Sequence, residues 1–114
     1  KKGLAVKMNN IYFKYNSAEL KKESFSELNK IVKELIEYPE LTIEIRGHTD
    51  NIGSQAYNLK LSSARSNSGK TYLIEKGIDP TRLASMGFGK KLPAVSNKTA
   101  KGQAINRRVD FIIL

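Results

Sequence analysis

The feature that most constrains the fold is a helical repeat of apolar residues followed directly by an alternating pattern. Apolar side chains recur about every 3.6 residues, as is typical of an amphipathic α-helix, at Leu20, Phe25, Leu28, Ile31, Val32, Leu35 and Ile36. We expect Ser17 to cap this helix and the helix to end before Pro39. Residues 41–47, LTIEIRG, then alternate apolar and polar side chains and predict a half-buried strand.

The rest of the chain predicts one more helix and three more strands. We expect strands at residues 8–13, 82–88 and 104–114, a helix around residues 57–74 that ends at Gly77, and a polar loop at residues 89–103. Helices that alternate with strands bury their apolar faces against a sheet. The order therefore predicts an α/β (α+β) two-layer sandwich, βαβαββ, with a mixed sheet and the helices on one face.

Two stripes of side chains run along the second predicted helix. The stripe expected to face the core consists of Tyr57, Leu61, Ala64, Ser68 and Tyr72. The other stripe is polar and is expected to face a ligand; it consists of Asn58, Ser62 and Arg65.

Length and composition limit the possible classes of protein. A chain of 114 residues can form one core but not two, so we predict a single domain over residues 1–114. The chain opens with KKGLAVK and lacks an initiator methionine, which favours a piece excised from a longer polypeptide. Cysteine is absent and histidine occurs once, so no metal site and no cofactor are predicted.

The net charge of +9 raises the possibility of binding to an anionic polymer or a nucleic acid. The lysines are scattered along the chain rather than gathered on a basic helix or interleaved with aromatic residues. This distribution favours a solvated surface, and we predict no specific binding to nucleic acid.

Two motifs suggest enzymatic chemistry only weakly. SGKT, residues 68–71, has Ala64 where a phosphate-binding loop requires glycine, and it falls inside the second predicted helix. A hydrolase would combine His48 and Asp50 with a serine, but no serine stands in a G-x-S-x-G turn. We predict no catalytic residue, and keep a hydrolase as the alternative.

The spacing of the charged residues agrees better with a ligand-binding pocket than with an enzyme active site. Asp50 lies in the loop just before the second helix, and Arg65 lies on the polar stripe of that helix. A carboxylate accepts hydrogen bonds from an ammonium, and a guanidinium binds a carboxylate through two parallel bonds. The two side chains together suit a ligand end that carries both charges, although a simple ion pair between Asp50 and Arg65 remains the alternative.

Three blocks of the sequence carry a family resemblance. They are IYFKYNSAEL, GHTDNIGSQAYNLKLSSARS and LIEKGIDPTRLASMGFGKKLPAVSNKTAKGQAINRRVDF. In this order and at these distances they closely resemble the OmpA-like peptidoglycan-binding domain, which also occurs in Pal lipoproteins and MotB stator proteins. The resemblance covers roughly residues 9–113.

The resemblance implies a site and a ligand. It implies non-covalent binding of the peptide stem of peptidoglycan through its diaminopimelate residue, with Asp50 taking the ammonium and Arg65 the carboxylate. It further implies that Asn58 and Arg107 add contacts and that Thr49 and Leu61 border the pocket.

The sequence departs from the family pattern at two positions. Lys14 stands where many members have an aspartate that helps to hold the ligand, so Asn16 is the candidate to replace it. Gln103 replaces an arginine. The resemblance also implies a periplasmic domain of an outer-membrane or other envelope protein, with no membrane contact of its own, no catalysis and a parent protein anchored in the outer membrane.

Overall fold

The computed structural model describes residues 5–6, 13, 17–20, 22 and 24–114. Its strands and helices, in chain order, are β1 (Ala5–Val6), α1 (Ser24–Glu37), β2 (Ile43–Gly47), α2 (Gln55–Glu75), β3 (Leu83–Gly87), α3 (Ala100–Asn106) and β4 (Val109–Ile113). These strands form one sheet in the order β1-β4-β2-β3. Strand β2 is parallel to β3 and antiparallel to β4, and β1 is antiparallel to β4.

The two-layer sandwich with a mixed sheet is confirmed. The alternation of β2 places Ile43 and Ile45 in the core and leaves Glu44 and Arg46 half-buried on the opposite face. The buried apolar residues are Phe13, Leu28, Ile31, Leu35, Ile43, Ile45, Leu73, Ile78, Leu83, Val109 and Phe111. No helix in the described part of the chain combines the length and apolar content needed to cross a membrane.

The first helix begins later than the sequence predicts. It starts at Ser24, and the Ser17 hydroxyl accepts a hydrogen bond from the backbone N–H of Glu19 in a turn outside the helix. A lysine pair at residues 21–22 would place positive charge at the positive end of a helix that began at Ser17. The strand predicted at residues 8–13 lies outside the described residues except for Phe13, which forms an isolated bridge with Leu20.

The prediction of which stripe of α2 faces the core is wrong. The face against the sheet carries Asn58, Ser62, Arg65, Ser66, Gly69 and Leu73, whereas Tyr57 and Ala64 are exposed. The reason is a close approach of backbones: a Cβ on Gly47 would overlap the carbonyl oxygen of Ser62. Around this contact the helix face carries small or polar residues, because large apolar side chains there would hold the two backbones apart.

A short helix, α3, replaces part of the predicted loop and the start of the predicted closing strand. Thr99 caps α3 by accepting a hydrogen bond from the backbone N–H of Gly102, at 2.9 Å. Strand β4 consequently begins at Val109 rather than at residue 104. Seven residues are too few to display an apolar helical repeat, so the pattern on which the prediction relied is absent.

Glycine is required at Gly47 but not at Gly69, and this difference can be tested. A Cβ on Gly69 would lie 3.5 Å from Cγ2 of Ile45, an ordinary van der Waals contact. Gly69→Ala should therefore raise the free energy of unfolding by about 0.5–1 kcal/mol through helix propensity. Gly47→Ala should lower it by about 1–3 kcal/mol through overpacking. Denaturant unfolding measures both, and a destabilised Gly69→Ala variant would contradict the packing described here.

Candidate functional site

The candidate site lies where β2 ends and α2 begins. The close approach of α2 to Gly47 brings the loop of residues 48–54 against the first half of the helix. Ser54 caps α2 by accepting a hydrogen bond from the backbone N–H of Tyr57. The backbone N–H of Thr49 donates to the carbonyl oxygen of Gly89, which fixes the loop from the other side.

Six of the seven side chains predicted for the site line one cavity here. The cavity has a volume of about 40 Å³, and its lining is Thr49, Asp50, Ile52, Gly53, Tyr57, Asn58, Leu61, Arg65 and Arg107. The seventh predicted residue, Asn16, and the departure at Lys14 lie outside the described residues. Three separate parts of the chain thus contribute to one small polar space: the loop, α2 and Arg107 at the end of α3.

Among the described residues that line the cavity, Asp50 is the only acidic one, and it is almost fully buried. Its Oδ2 forms an ion pair with Nη1 of Arg107 at 2.8 Å. Its Oδ1 accepts a hydrogen bond from the backbone N–H of Ile52 at 3.0 Å. Each carboxylate oxygen has two acceptor positions, so these contacts leave capacity for a further donor.

Arg65 is fully buried beneath the loop and links three segments of the chain. Its Nε donates to the carbonyl oxygen of Ser17 at 2.8 Å, and its Nη1 donates to that of His48 at 3.0 Å. The guanidinium carbon lies 5.2 Å from the centre of the Phe13 ring, a cation–π distance.

The electrostatics of Arg65 favour additional negative charge. Its pKa is lowered from the usual value to about 10, first because burial disfavours the charged form and then because Arg107 is positive, while Asp50 partly offsets both. The guanidinium remains protonated at neutral pH. Two guanidiniums and one carboxylate give the cavity a net positive charge that a ligand carboxylate would balance.

Asn58 and Thr49 mainly shape the loop. Asn58 Nδ2 donates to the carbonyl oxygen of Ile52 at 3.0 Å, and Thr49 Oγ1 donates to that of Asp50 at 2.8 Å. These bonds hold the backbone around Asp50 and so position its carboxylate.

His48 lies outside this cavity lining. Its ring is buried and stacks on Phe88, with centroids 5.7 Å apart. Its Nε2 is 3.2 Å from Oδ2 of Asp110, close enough for an ion pair when protonated but without hydrogen-bond geometry. Burial raises the pKa of Asp110, but the contact with His48 and the charge of Arg108 lower the pKa more, so that it stays below its usual value.

Asn106, which directly precedes Arg107, was not predicted from the sequence. Its Oδ1 accepts hydrogen bonds from the backbone N–H groups of Ala94 and Val95, and its Nδ2 donates to Val95 and Asn97. A fully buried asparagine with this many bonds ties residues 94–97, in the loop before α3, to the end of that helix. Its position directly before the arginine pair was the available signal.

The fold and the site define a two-layer α/β domain with a small cavity lined by ionised side chains. The model of the OmpA family matches residues 12–107, most of the chain. Outer membrane protein A of Bordetella avium is 44% identical over 103 residues, which cover 90% of this chain and 53% of that protein. The chain belongs to the OmpA family, and it spans about half the length of that relative.

Two further relatives extend the comparison. The peptidoglycan-associated lipoprotein from Burkholderia pseudomallei has a crystal structure that matches with a TM-score of 0.87 and 26% identity, covering 91% of this chain and 88% of that chain. The peptidoglycan-binding protein ArfA of Mycobacterium bovis is 34% identical over 103 residues, 90% of this chain and 32% of that protein. The predicted OmpA-like fold is thus confirmed.

Arg65 should be essential for stability as well as for charge. Arg65→Ala removes the donors to two carbonyl groups, each of which costs about 1–3 kcal/mol when left unsatisfied, so the free energy of unfolding should fall by roughly 2–5 kcal/mol. The half-buried ion pair of Arg46 with Glu44 serves as the control, and Arg46→Ala should cost about 1 kcal/mol or less. Denaturant unfolding that shows equal losses for the two variants would refute the structural role of Arg65.

Proposed function

We propose that this domain binds peptidoglycan non-covalently, through the diaminopimelate residue of the peptide stem. Asp50 would accept hydrogen bonds from the ammonium of the free end of diaminopimelate, and Arg65 would bind the carboxylate. Arg107 and Asn58 would add polar contacts, while Thr49 and Leu61 border the ligand. The observation that carries the proposal is that one carboxylate and two guanidiniums line the same cavity.

The charge pattern suits a zwitterion better than a singly charged group. An ammonium can use the acceptor capacity of Asp50 that remains beside the ion pair with Arg107. A carboxylate would offset the burial of Arg65 and its proximity to Arg107, which together lower the pKa of Arg65. A ligand with only one of these charges would satisfy half of the site.

The size of the cavity indicates how much of the ligand enters it. A volume of 40 Å³ corresponds to about three water-sized positions. That is enough for a charged head group and too small for a whole peptide. The remainder of the stem would lie outside, where the exposed side chains of Ile52 and Tyr57 offer apolar contact at the rim.

Several observations favour binding without catalysis. The imidazole of His48 is buried and stacked, so it is poorly placed to serve as a general base on an exposed polymer. Oδ2 of Asp50 already pairs with Nη1 of Arg107, so this oxygen is engaged by a partner within the protein. The names of the relatives describe association with peptidoglycan or the outer membrane and no reaction.

In the cell, the domain would tether its parent protein to the wall from the periplasm. The relatives include an outer membrane protein and a peptidoglycan-associated lipoprotein. The single domain of this chain would then be the wall-binding part of a longer envelope protein anchored in the outer membrane.

Binding to purified sacculi tests the site. Asp50→Asn keeps the shape and an acceptor for Ile52 but removes the charge, so the affinity should fall about 10- to 100-fold, roughly 1.5–3 kcal/mol. Glu40→Gln, at an exposed position outside the cavity lining, is the matched loss of one negative charge and should leave binding unchanged. Circular dichroism checks that both variants fold.

The same sacculi separate the alternatives. Undiminished binding by Asp50→Asn would count against the proposed site, and release of soluble muropeptides by the unmodified protein would reveal a hydrolase. Equal weakening by both variants would point to general electrostatics rather than to a specific pocket.

A further inference from the structure

The exposed stripe of α2 connects the charged cavity to a second, larger opening. Tyr57 and Leu61 line the cavity, and Ala64, Ser68 and Tyr72 continue the same stripe toward the end of the helix. Neighbours three or four residues apart on a helix lie about 5–6 Å from each other. The second opening therefore begins one helical turn beyond the charged cavity.

This second opening is a groove between the residues before α1 and the second half of α2. Its volume is about 760 Å³, within the size range of ligand sites. The residues that line it are Ala18, Glu19, Leu20, Phe25, Ala64, Asn67, Ser68, Thr71, Tyr72 and Glu75. We call it the α2 groove.

The α2 groove combines an aromatic surface with many short polar groups. The rings of Phe25 and Tyr72 stack with centroids 5.3 Å apart and an angle of 8°. Phe25 remains 38% exposed, so the stack leaves part of its ring accessible. Asn67 and Thr71 present hydrogen-bonding groups at exposed positions of α2.

The charges of the α2 groove limit what it binds. Among the described residues of its lining, the ionised side chains are Glu19 and Glu75, both acidic, and Lys76 lies beside the lining with Nζ 5.4 Å from the centre of the Tyr72 ring. Carboxylates repel the phosphates of nucleic acid or lipid, but they accept hydrogen bonds from the hydroxyl and amide groups of a neutral sugar. The apolar face of a sugar ring can pack on the exposed ring of Phe25.

We propose that the α2 groove binds the glycan strand of the same polymer whose peptide stem occupies the charged cavity, an inference that rests on the proposed function. Two amino acids, a lactyl linker and the side chain of the diamino acid separate the sugar from the charged free end, an extended span of about 15 Å. Thr71 follows Leu61 by ten residues on α2 and lines the α2 groove, which corresponds to about 15 Å along a helix. The groove thus lies at the distance where the sugar would be.

Calorimetry with two soluble ligands tests this proposal. One ligand is the stem tripeptide that ends in diaminopimelate, and the other is the same tripeptide attached to its disaccharide. The protein should bind the disaccharide-tripeptide about 3- to 10-fold more tightly, the gain expected from one aromatic contact with its hydrogen bonds.

Substitutions in and near the α2 groove test whether the groove is the source of this gain in affinity. Thr71→Gln fills the α2 groove at an exposed helical position and should abolish the gain while leaving the affinity for the tripeptide unchanged. Lys60→Gln, exposed on the same helix and outside both linings, should retain the gain. Phe25→Leu should abolish the gain as well, with folding checked by circular dichroism.

The possible results separate the two proposals. Equal affinities for the two ligands, or a gain that survives in both Thr71→Gln and Phe25→Leu, would overturn the glycan proposal and leave the stem site standing. If the unmodified protein binds neither ligand, both proposals are overturned. Self-association that Thr71→Gln abolishes would assign the α2 groove to a second copy of the chain and overturn the glycan proposal.

Discussion

The buried guanidinium of Arg65 is the interaction on which the rest of the structure depends. It joins the segment before α1, through Ser17, to the loop after β2, through His48, and it stands over the ring of Phe13. A buried charge without partners would cost several kcal/mol, so these contacts must form together. The loop that carries Asp50 is consequently held in one conformation, and the charged cavity follows from that arrangement.

The glycines at the ends of β2 and β3 allow this arrangement. Gly47 and Gly87 are paired in register, and a Cβ on either would overlap α2. The resulting contact buries a polar helix face and places Arg65 below the loop. The same contact leaves the stripe from Tyr57 to Tyr72 exposed or half-buried, where it lines the cavity and the α2 groove. Core packing and ligand binding are therefore two results of one close approach.

Sequence patterns predicted what depends on local periodicity. The alternation around Ile43 and Ile45 predicted the buried strand correctly. Of the six predicted site residues that line the cavity, spacing suggested Asp50, Asn58 and Arg65, and the family resemblance implied Thr49, Leu61 and Arg107. The core-facing stripe of α2 was predicted wrongly because a pattern of apolar residues does not reveal a backbone contact such as that of Gly47 with Ser62. The ion pair of Asp50 with Arg107 spans 57 positions and depends on α3, so spacing could not reveal it.

In the function proposed here, Asp50 and Arg65 together recognise the zwitterionic end of the diamino acid. The most direct measurement compares two stem tripeptides, one ending in diaminopimelate and one in lysine, whose side chain lacks the second carboxylate. Calorimetry should show the diaminopimelate peptide binding at least about 10-fold more tightly, because only it engages both Asp50 and Arg65. Equal affinity for the two peptides would contradict the account.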